Sequence, residues 1–204
     1  MPRVGVRRLL LLLTGCVVLG AGVAMLLAAD LGSDGYSTLV NGLSRSTGSA
    51  FVMANLVVSG AFILLAAARG VRPGLGTVVQ IVVVGLVADR LLATLPTPGP
   101  LWGQALLLVA AFPVLAAGIA AYLGAHAGAG PAEAAALAYD PPVPFRWSYS
   151  VVQGGGALTG WLLGATVGVG TLAVIALLGP AVDLASRLLG LDVHQDDEDP
   201  PPEG

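Results

Sequence analysis

The stretch Gly74-Leu75-Gly76-Thr77 occurs a second time in this chain as Gly168-Val169-Gly170-Thr171, 94 residues further on. At one and the same spacing, each copy is followed by a glycine and then by an aspartate. These residues are Gly85 and Asp89 in the first copy, and Gly179 and Asp183 in the second. With a shift of two residues, segment 21–32 also matches 117–128. Repetition at a fixed spacing indicates two copies of one structural unit.

The composition around these copies is that of a membrane protein. Hydrophobic residues make up 56% of the chain, charged residues 10%, and the mean hydropathy is +0.87. A soluble domain carries about 25% charged residues, and the apolar runs here reach roughly twenty residues, enough to cross a hydrocarbon core. The lipid bilayer is therefore the expected partner. Lysine is absent and no basic patch is interleaved with aromatic residues, which argues against nucleic-acid binding.

The single cysteine, Cys16, rules out an internal disulfide, and no spacing of ligand residues predicts a metal site or a bound cofactor. Leu13-Thr14-Gly15-Cys16 resembles a lipoprotein processing site. The apolar run continues to Ala29 without a polar break, so a first transmembrane helix is the favoured interpretation.

Six membrane spans are predicted, and each can satisfy its backbone in lipid only as a helix. They cover residues 8–29, 50–68, 75–94, 101–124, 149–167 and 170–189. With the N-terminus inside, seven arginines lie at cytoplasmic ends, and only Arg45 and Arg90 lie outside. The excess of positive charge inside predicts a multi-pass protein of the bacterial plasma membrane with both termini in the cytoplasm.

The predicted fold is all-α: a six-helix bundle built from two three-helix repeats, about 8–94 and 101–189, within one membrane domain, 1–190. Because each repeat has an odd number of spans, the second copy should be inverted relative to the first. The long connections 30–48 and 125–148 should each contain a short helix. Residues 191–204 form an acidic, proline-rich tail that is expected to be disordered. Association into a homo-oligomer is possible.

Asp89 and Asp183 are the first candidates for a translocation site, because ionisable groups inside a membrane are costly and usually functional. They are equivalent in the two repeats. The alternative is structural: Asp183 could pair with Arg187 one turn further on, and Arg90 stands beside Asp89.

Thr77 and Thr171 follow Gly-x-Gly at predicted helix starts, where free backbone amides could bind an anion or a substrate oxygen. The favoured alternative is a tight turn in which glycine supplies the backbone conformation and the threonine caps the helix.

Three amide side chains, Asn55, Gln80 and Gln153, lie on separate predicted spans. Such groups most often form hydrogen bonds between helices, and substrate contact is the less common role. Small residues at every fourth position, Gly156, Gly160, Gly164 and Gly168, predict a narrow face on the fifth span for close helix packing.

Several stretches resemble the YitT/YczE-like family of bacterial membrane proteins. They are Ala29-Asp30-Leu31-Gly32-Ser33-Asp34-Gly35, the Gly74–Thr77 turn with Asp89, Ala127-Gly128-Ala129-Gly130-Pro131, and Gly160-Trp161-Leu162-Leu163-Gly164 leading into Gly168–Thr171. The resemblance covers the chain to about residue 190 and implies the fold and the location rather than a substrate. It places Glu133 at the family's acidic position on the second short helix, with Asp34 as its approximate counterpart in the first half.

The repeat and the paired acids predict a small-solute transporter or permease working through two inverted halves. The alternative is a non-transporting accessory or scaffold protein of a biosynthetic or export system, with the acidic tail as a docking segment. An enzyme is not expected, because neither His126 nor His194 has a nucleophile at helical spacing.

Overall fold

In the computed structural model, the residues described are 5–140 and 142–191, and they form eight α-helices and no strand. We number the helices in chain order. Their bounds are α1 Val6–Ala28, α2 Gly35–Thr47, α3 Phe51–Ala67, α4 Leu75–Leu92, α5 Leu101–Leu123, α6 Pro131–Leu137, α7 Phe145–Leu162 and α8 Val169–Leu189. The tail predicted at 191–204 lies outside the described residues except for Leu191.

The six longer helices coincide with the six predicted spans, and α2 and α6 lie in the two long connections. By length and composition, four helices can cross a membrane: α1, α4, α5 and α8. Helix α3 is apolar but has 17 residues. Many large apolar side chains face outward, such as Ile175 and Leu188 at 73% and 78% exposure. The architecture is consistent with an all-α membrane protein.

Both predicted boundaries of the fifth span were wrong. Helix α7 runs from Phe145 to Leu162 instead of 149–167. It ends where Gly164 adopts a φ of 95°, a left-handed conformation that terminates helices.

Helices α1 and α5 form the centre of the molecule and run antiparallel. Gly15 lies against the backbone of Tyr122, and Gly118 lies against that of Leu19. At Gly22, an added Cβ would come within 2.9 Å of the Leu115 backbone nitrogen. The residue numbers at these contacts increase along α1 and decrease along α5, as in an antiparallel pair of helices. Glycine at each contact removes the side chain that would hold the backbones apart.

The two Gly-x-Gly-Thr corners lie at opposite ends of this central pair. The Gly76 amide donates to the Ala127 carbonyl at 2.8 Å, just beyond the end of α5. The Gly170 amide donates to the Leu31 carbonyl at 2.7 Å, just beyond the end of α1. Because α1 and α5 are antiparallel, their C-terminal ends point in opposite directions, and each corner is attached to one of them.

Each short helix packs on a long helix of the other half. Gly35 and Gly42 of α2 lie against the backbones of Gln153 and Gly160 in α7, so α2 runs parallel to α7. Helix α6 packs on α3 through a small apolar cluster, Ala66, Ala134 and Ala138. The small-residue face predicted on the fifth span is therefore occupied, at Gly156 and Gly160, by the short helix of the first half.

Candidate functional site

The N-terminal ends of α2 and α6 bring two acidic side chains into the interior. Asp34 precedes α2 and caps it, since its Oδ2 accepts a hydrogen bond of 2.9 Å from the Ser37 amide. Ser33 and Thr38 share a buried hydroxyl hydrogen bond of 2.8 Å beside it. Glu133 lies in the first turn of α6, after the Pro131 that opens the helix. Each acid thus stands at a helix start, where the backbone dipole favours negative charge.

Tyr36 connects α2 to both halves of the protein. Its amide donates to Gln153 Oε1 in α7 at 3.1 Å. Its hydroxyl donates to Asn55 Oδ1 in α3 at 2.8 Å and lies 2.6 Å from the Ser59 hydroxyl. Asn55, only 3% exposed, donates in turn to the Ile81 carbonyl of α4 at 2.9 Å. These bonds hold the start of α2 in one orientation.

Around Glu133, three side chains from different helices come together. Gln80 of α4 lies beside Gly130 and the Glu133 carboxyl group, since a Cβ at Gly130 would be 2.8 Å from Gln80 Oε1. Tyr122 of α5 and Tyr149 of α7 both lie within electrostatic range of Glu133. Tyr149 also accepts a hydrogen bond of 2.7 Å from Gln153 Nε2. We call Asp34, Tyr36, Gln80, Tyr122, Glu133, Tyr149 and Gln153 the central cluster.

Two polar atoms of the central cluster are buried and form no hydrogen bond with the described part of the chain. They are Gln80 Oε1 and the Tyr122 hydroxyl. The Gly130 amide is near that hydroxyl, but no hydrogen bond of normal geometry joins them. Buried polar groups are nearly always paired, so two such atoms at one site call for an explanation.

Both acids lie deep in the protein, and burial is the main cause of their altered acidity. Burial raises the pKa of Asp34 above 3.8 and that of Glu133 above 4.5, because the charged form loses its hydration. The negative charge of Asp34 raises the pKa of Glu133 further. Backbone hydrogen bonds oppose these effects only in part. Both residues nevertheless keep part of their surface exposed.

The other predicted candidates lie elsewhere. Thr77 and Thr171 are buried at the two corners, where Thr77 donates to the Ala129 carbonyl at 2.6 Å and Thr171 caps α8. Most amides at the corners are already bonded: Gly76 and Gly170 donate to the opposite half, and the Thr171 amide donates to the Gly168 carbonyl at 3.0 Å. This arrangement favours the structural interpretation of both threonines.

Asp89 and Asp183 are not close to the central cluster. Asp89 accepts a bond of 3.3 Å from the Val52 amide and lines a surface pocket of about 500 Å³. Asp183 is exposed on α8. The proposed ion pairs are absent from the described residues, where Arg45 and Asp30, 3.7 Å apart and both partly exposed, form the one salt bridge found. Within the same part of the chain, no group of three His, Cys, Asp or Glu side chains could hold a metal ion.

Of the predicted candidates, the structure brings Asp34, Glu133, Gln80 and Gln153 into one site. Asn55 is bonded to its edge through Tyr36. The tyrosines of the central cluster were missed, since tyrosine in a membrane helix is usually placed at an interface. One signal was available: the chain has only four tyrosines, and three of them meet here.

Comparison with known proteins places the chain in a family. The sequence profile of a family of unknown function, DUF6198, matches residues 6–187. The chain belongs to this family. It is also 27% identical over 188 residues to an uncharacterized protein of Haemophilus influenzae, an alignment that covers 90% of this chain and 85% of the relative. No solved structure matches the chain.

Proposed function

We propose that this DUF6198 protein is a small-solute transporter of the bacterial plasma membrane. Its six longer helices cross the bilayer as two inverted halves, with both termini in the cytoplasm. Helices α2 and α6 are re-entrant segments: each connection runs toward the middle of the membrane and returns as a short helix. The resemblance to YitT/YczE-like proteins agrees with this arrangement and leaves the substrate open.

One observation carries the proposal: the acids at the N-terminal ends of the two short helices lie within electrostatic range of each other, and each helix start is held by the opposite half. Tyr36 of α2 is bonded to Gln153 of α7. Gly130, before α6, lies beside Gln80 of α4. Sites built from discontinuous helices at the interface of inverted repeats are characteristic of secondary transporters. Acidic side chains at such a depth are energetically costly, and they usually mark a functional site.

The contacts between the halves support the inverted arrangement. The antiparallel α1 and α5 form the central seam, and the pairs α1 with α4 and α5 with α8 flank it in the same way. The bonds from Gly76 to Ala127 and from Gly170 to Leu31 are equivalent under exchange of the halves. Rocking of one half against the other along the glycine-rich seam would expose the central cluster to each side in turn.

The orientation can be tested with cysteine labels. Replacing the buried Cys16 by alanine gives a cysteine-free background. We expect a membrane-impermeant maleimide to label Ser46→Cys, at the exposed end of α2, in intact cells. Val143→Cys, which is 39% exposed before α7, should react only after permeabilisation. Labelling of both positions from the same side would contradict the inverted arrangement.

Transport itself can be tested in proteoliposomes. Uptake of radiolabelled alanine, lactate, glycerol and methylammonium is measured with and without a proton gradient, and protein-free liposomes supply the background. We expect protein-dependent uptake of at least one solute, which Glu133→Gln should reduce by tenfold or so, the loss that removal of one charged hydrogen bond produces. Asp183→Asn, an exposed acid, is the matched control. If no probe solute is taken up while tail-tagged protein captures a stoichiometric partner, the accessory role is favoured instead.

A further inference from the structure

We propose that the polar side chains of Gln80, Tyr122 and Glu133, together with Asp34, bind a primary ammonium cation, which makes cationic amines the solute class of this protein. The inference rests on the proposed function for its biological meaning.

Tyr122 carries a buried hydroxyl group without a hydrogen-bond partner in the described part of the chain. This side chain is 3% exposed, and its hydroxyl has no hydrogen bond of normal geometry to any described residue. It lies near the Gly130 amide and within electrostatic range of Glu133. A buried hydroxyl without a partner costs free energy unless a bound molecule supplies one. A ligand beside Glu133 would satisfy it.

The side chains at this site mainly accept hydrogen bonds. Gln80 Oε1 is a buried acceptor without a partner, and the two carboxylates can only accept when ionised. The Tyr122 hydroxyl can also accept. A ligand that satisfies these groups must therefore be rich in N–H or O–H donors. A primary ammonium group carries three N–H donors on one atom.

The two acids have no positively charged partner among the described residues. No described arginine or histidine forms an ion pair with Asp34 or Glu133. Buried carboxylates are normally paired with a positive group, because an unpaired one is strongly penalised. A cationic ligand would supply the missing charge. A monovalent cation neutralises one ionised carboxyl group, and the other carboxyl group can stay protonated and uncharged.

The composition of the site also separates an organic cation from a metal ion. Ca²⁺ takes roughly six to eight oxygen ligands, whereas these four residues offer two carboxyl groups, one amide oxygen and one phenol hydroxyl. Tyr36, Tyr122 and Tyr149 all lie within electrostatic range of Glu133.

Thermal unfolding of the full chain in lipid nanodiscs, with methylammonium chloride as the probe, tests the proposal. Sodium chloride at equal ionic strength is the reference. We expect the melting temperature to rise with methylammonium concentration, as binding to the folded state requires. Tetramethylammonium has the same charge and no N–H donor, and it should have a much smaller effect.

Variants then locate the binding. Glu133→Gln should weaken the apparent affinity about tenfold, the effect expected for losing a charged hydrogen bond. Tyr122→Phe, which keeps the ring, should weaken it about fivefold. Asp183→Asn, an exposed acid on α8, should leave it unchanged.

Three results would overturn the proposal: no stabilisation of the wild-type protein, equal stabilisation by tetramethylammonium, or an unchanged effect in both Glu133→Gln and Tyr122→Phe. Because binding is measured without a gradient, its failure is distinct from failure of transport. Uptake of another solute without ammonium binding would leave the transporter proposal standing and remove this one.

Discussion

Gly35, the first residue of α2, lies directly against the backbone of Gln153 in α7, with no room between them for a side chain. At this contact the short helix of the first half meets the second half, and the next residue, Tyr36, donates its amide to the Gln153 side chain at 3.1 Å. The position of Asp34, one residue earlier, depends on the same contact. Close backbone packing and the placement of an acidic group are therefore coupled.

Gly35→Ala should strongly destabilise the protein, because its methyl group would overlap the Gln153 carbonyl. We expect the free energy of unfolding to fall by at least about 2 kcal/mol, the scale of overpacking in a filled core. SDS-induced unfolding followed by circular dichroism measures it. Gly154→Ala is the matched control on α7, since nothing lies near that position, and alanine there should be neutral or favour the helix. Equal stability of the two variants would show that the α2–α7 contact is looser than described.

Asn55→Ala should destabilise the protein by about 1–3 kcal/mol, because it leaves the Ile81 carbonyl and the Tyr36 hydroxyl without this buried partner. Asn41→Ala provides the comparison. Asn41 is half-buried on α2, and no hydrogen bond of its side chain is found in the described structure. We expect its effect to stay within about 0.5 kcal/mol. The same SDS titration reports both, and a cost for Asn41→Ala as large as that for Asn55→Ala would contradict the described network.

Two tyrosine-to-phenylalanine changes should have opposite effects on stability. Tyr122→Phe removes a buried hydroxyl that has no partner, so the ligand-free protein should become more stable. We expect its free energy of unfolding to increase by about 1 kcal/mol and its melting temperature to rise accordingly. Tyr36→Phe removes a hydroxyl bonded to Asn55 and Ser59, so the melting temperature should fall. Differential scanning fluorimetry in nanodiscs gives both values. A loss of stability in Tyr122→Phe would mean that its hydroxyl is already satisfied in the ligand-free protein.

Stability should fall as the pH rises above the ordinary carboxyl pKa values. The folded pKa of Asp34 and of Glu133 is raised, so the folded protein holds protons that the unfolded chain has released. The free energy of unfolding therefore declines from about pH 4 until the folded pKa values are passed. The loss is about 1.4 kcal/mol for each pH unit between a group's folded and unfolded pKa.

Melting temperatures between pH 4 and pH 9 test this decline. The double variant Asp34→Asn and Glu133→Gln, in which asparagine still caps α2, should give a flatter profile than the wild type. Asp183→Asn changes an acid outside the central cluster and should keep the wild-type profile. If the melting temperature of the double variant depends on pH as steeply as that of the wild type, these two acids are not the cause of the decline.

Much of the secondary structure was predictable because apolar runs in a membrane have few alternatives to helix. The six longer helices lie at the predicted positions, and α2 and α6 lie in the predicted connections. The end of α7 was missed because glycine at position 164 was interpreted as part of a packing face. Its conformation, a φ of 95°, depends on the turn that leads into α8.

The candidate site was only partly predictable. Asp34 and Glu133 could be chosen from the resemblance, and Gln80 and Gln153 from the cost of amides in a membrane. Asp89 and Asp183 ranked higher because they are equivalent in the repeat, yet the structure places them away from the central cluster. Equivalence under a repeat relates positions in two halves and does not bring them together. Tyr122 became a candidate only once its unpartnered hydroxyl was located.

By itself, the sequence determined that the chain is helical and apolar, and it predicted a repeat, because hydrophobic runs and recurring glycine corners are local properties of the chain. The tertiary structure decided which residues meet. It placed α2 on α7 and α6 on α3, and thereby brought two acids and three tyrosines from distant positions into one interior space. The physical reason is that these contacts depend on how closely backbones of different helices approach, which the pattern along any one helix does not contain.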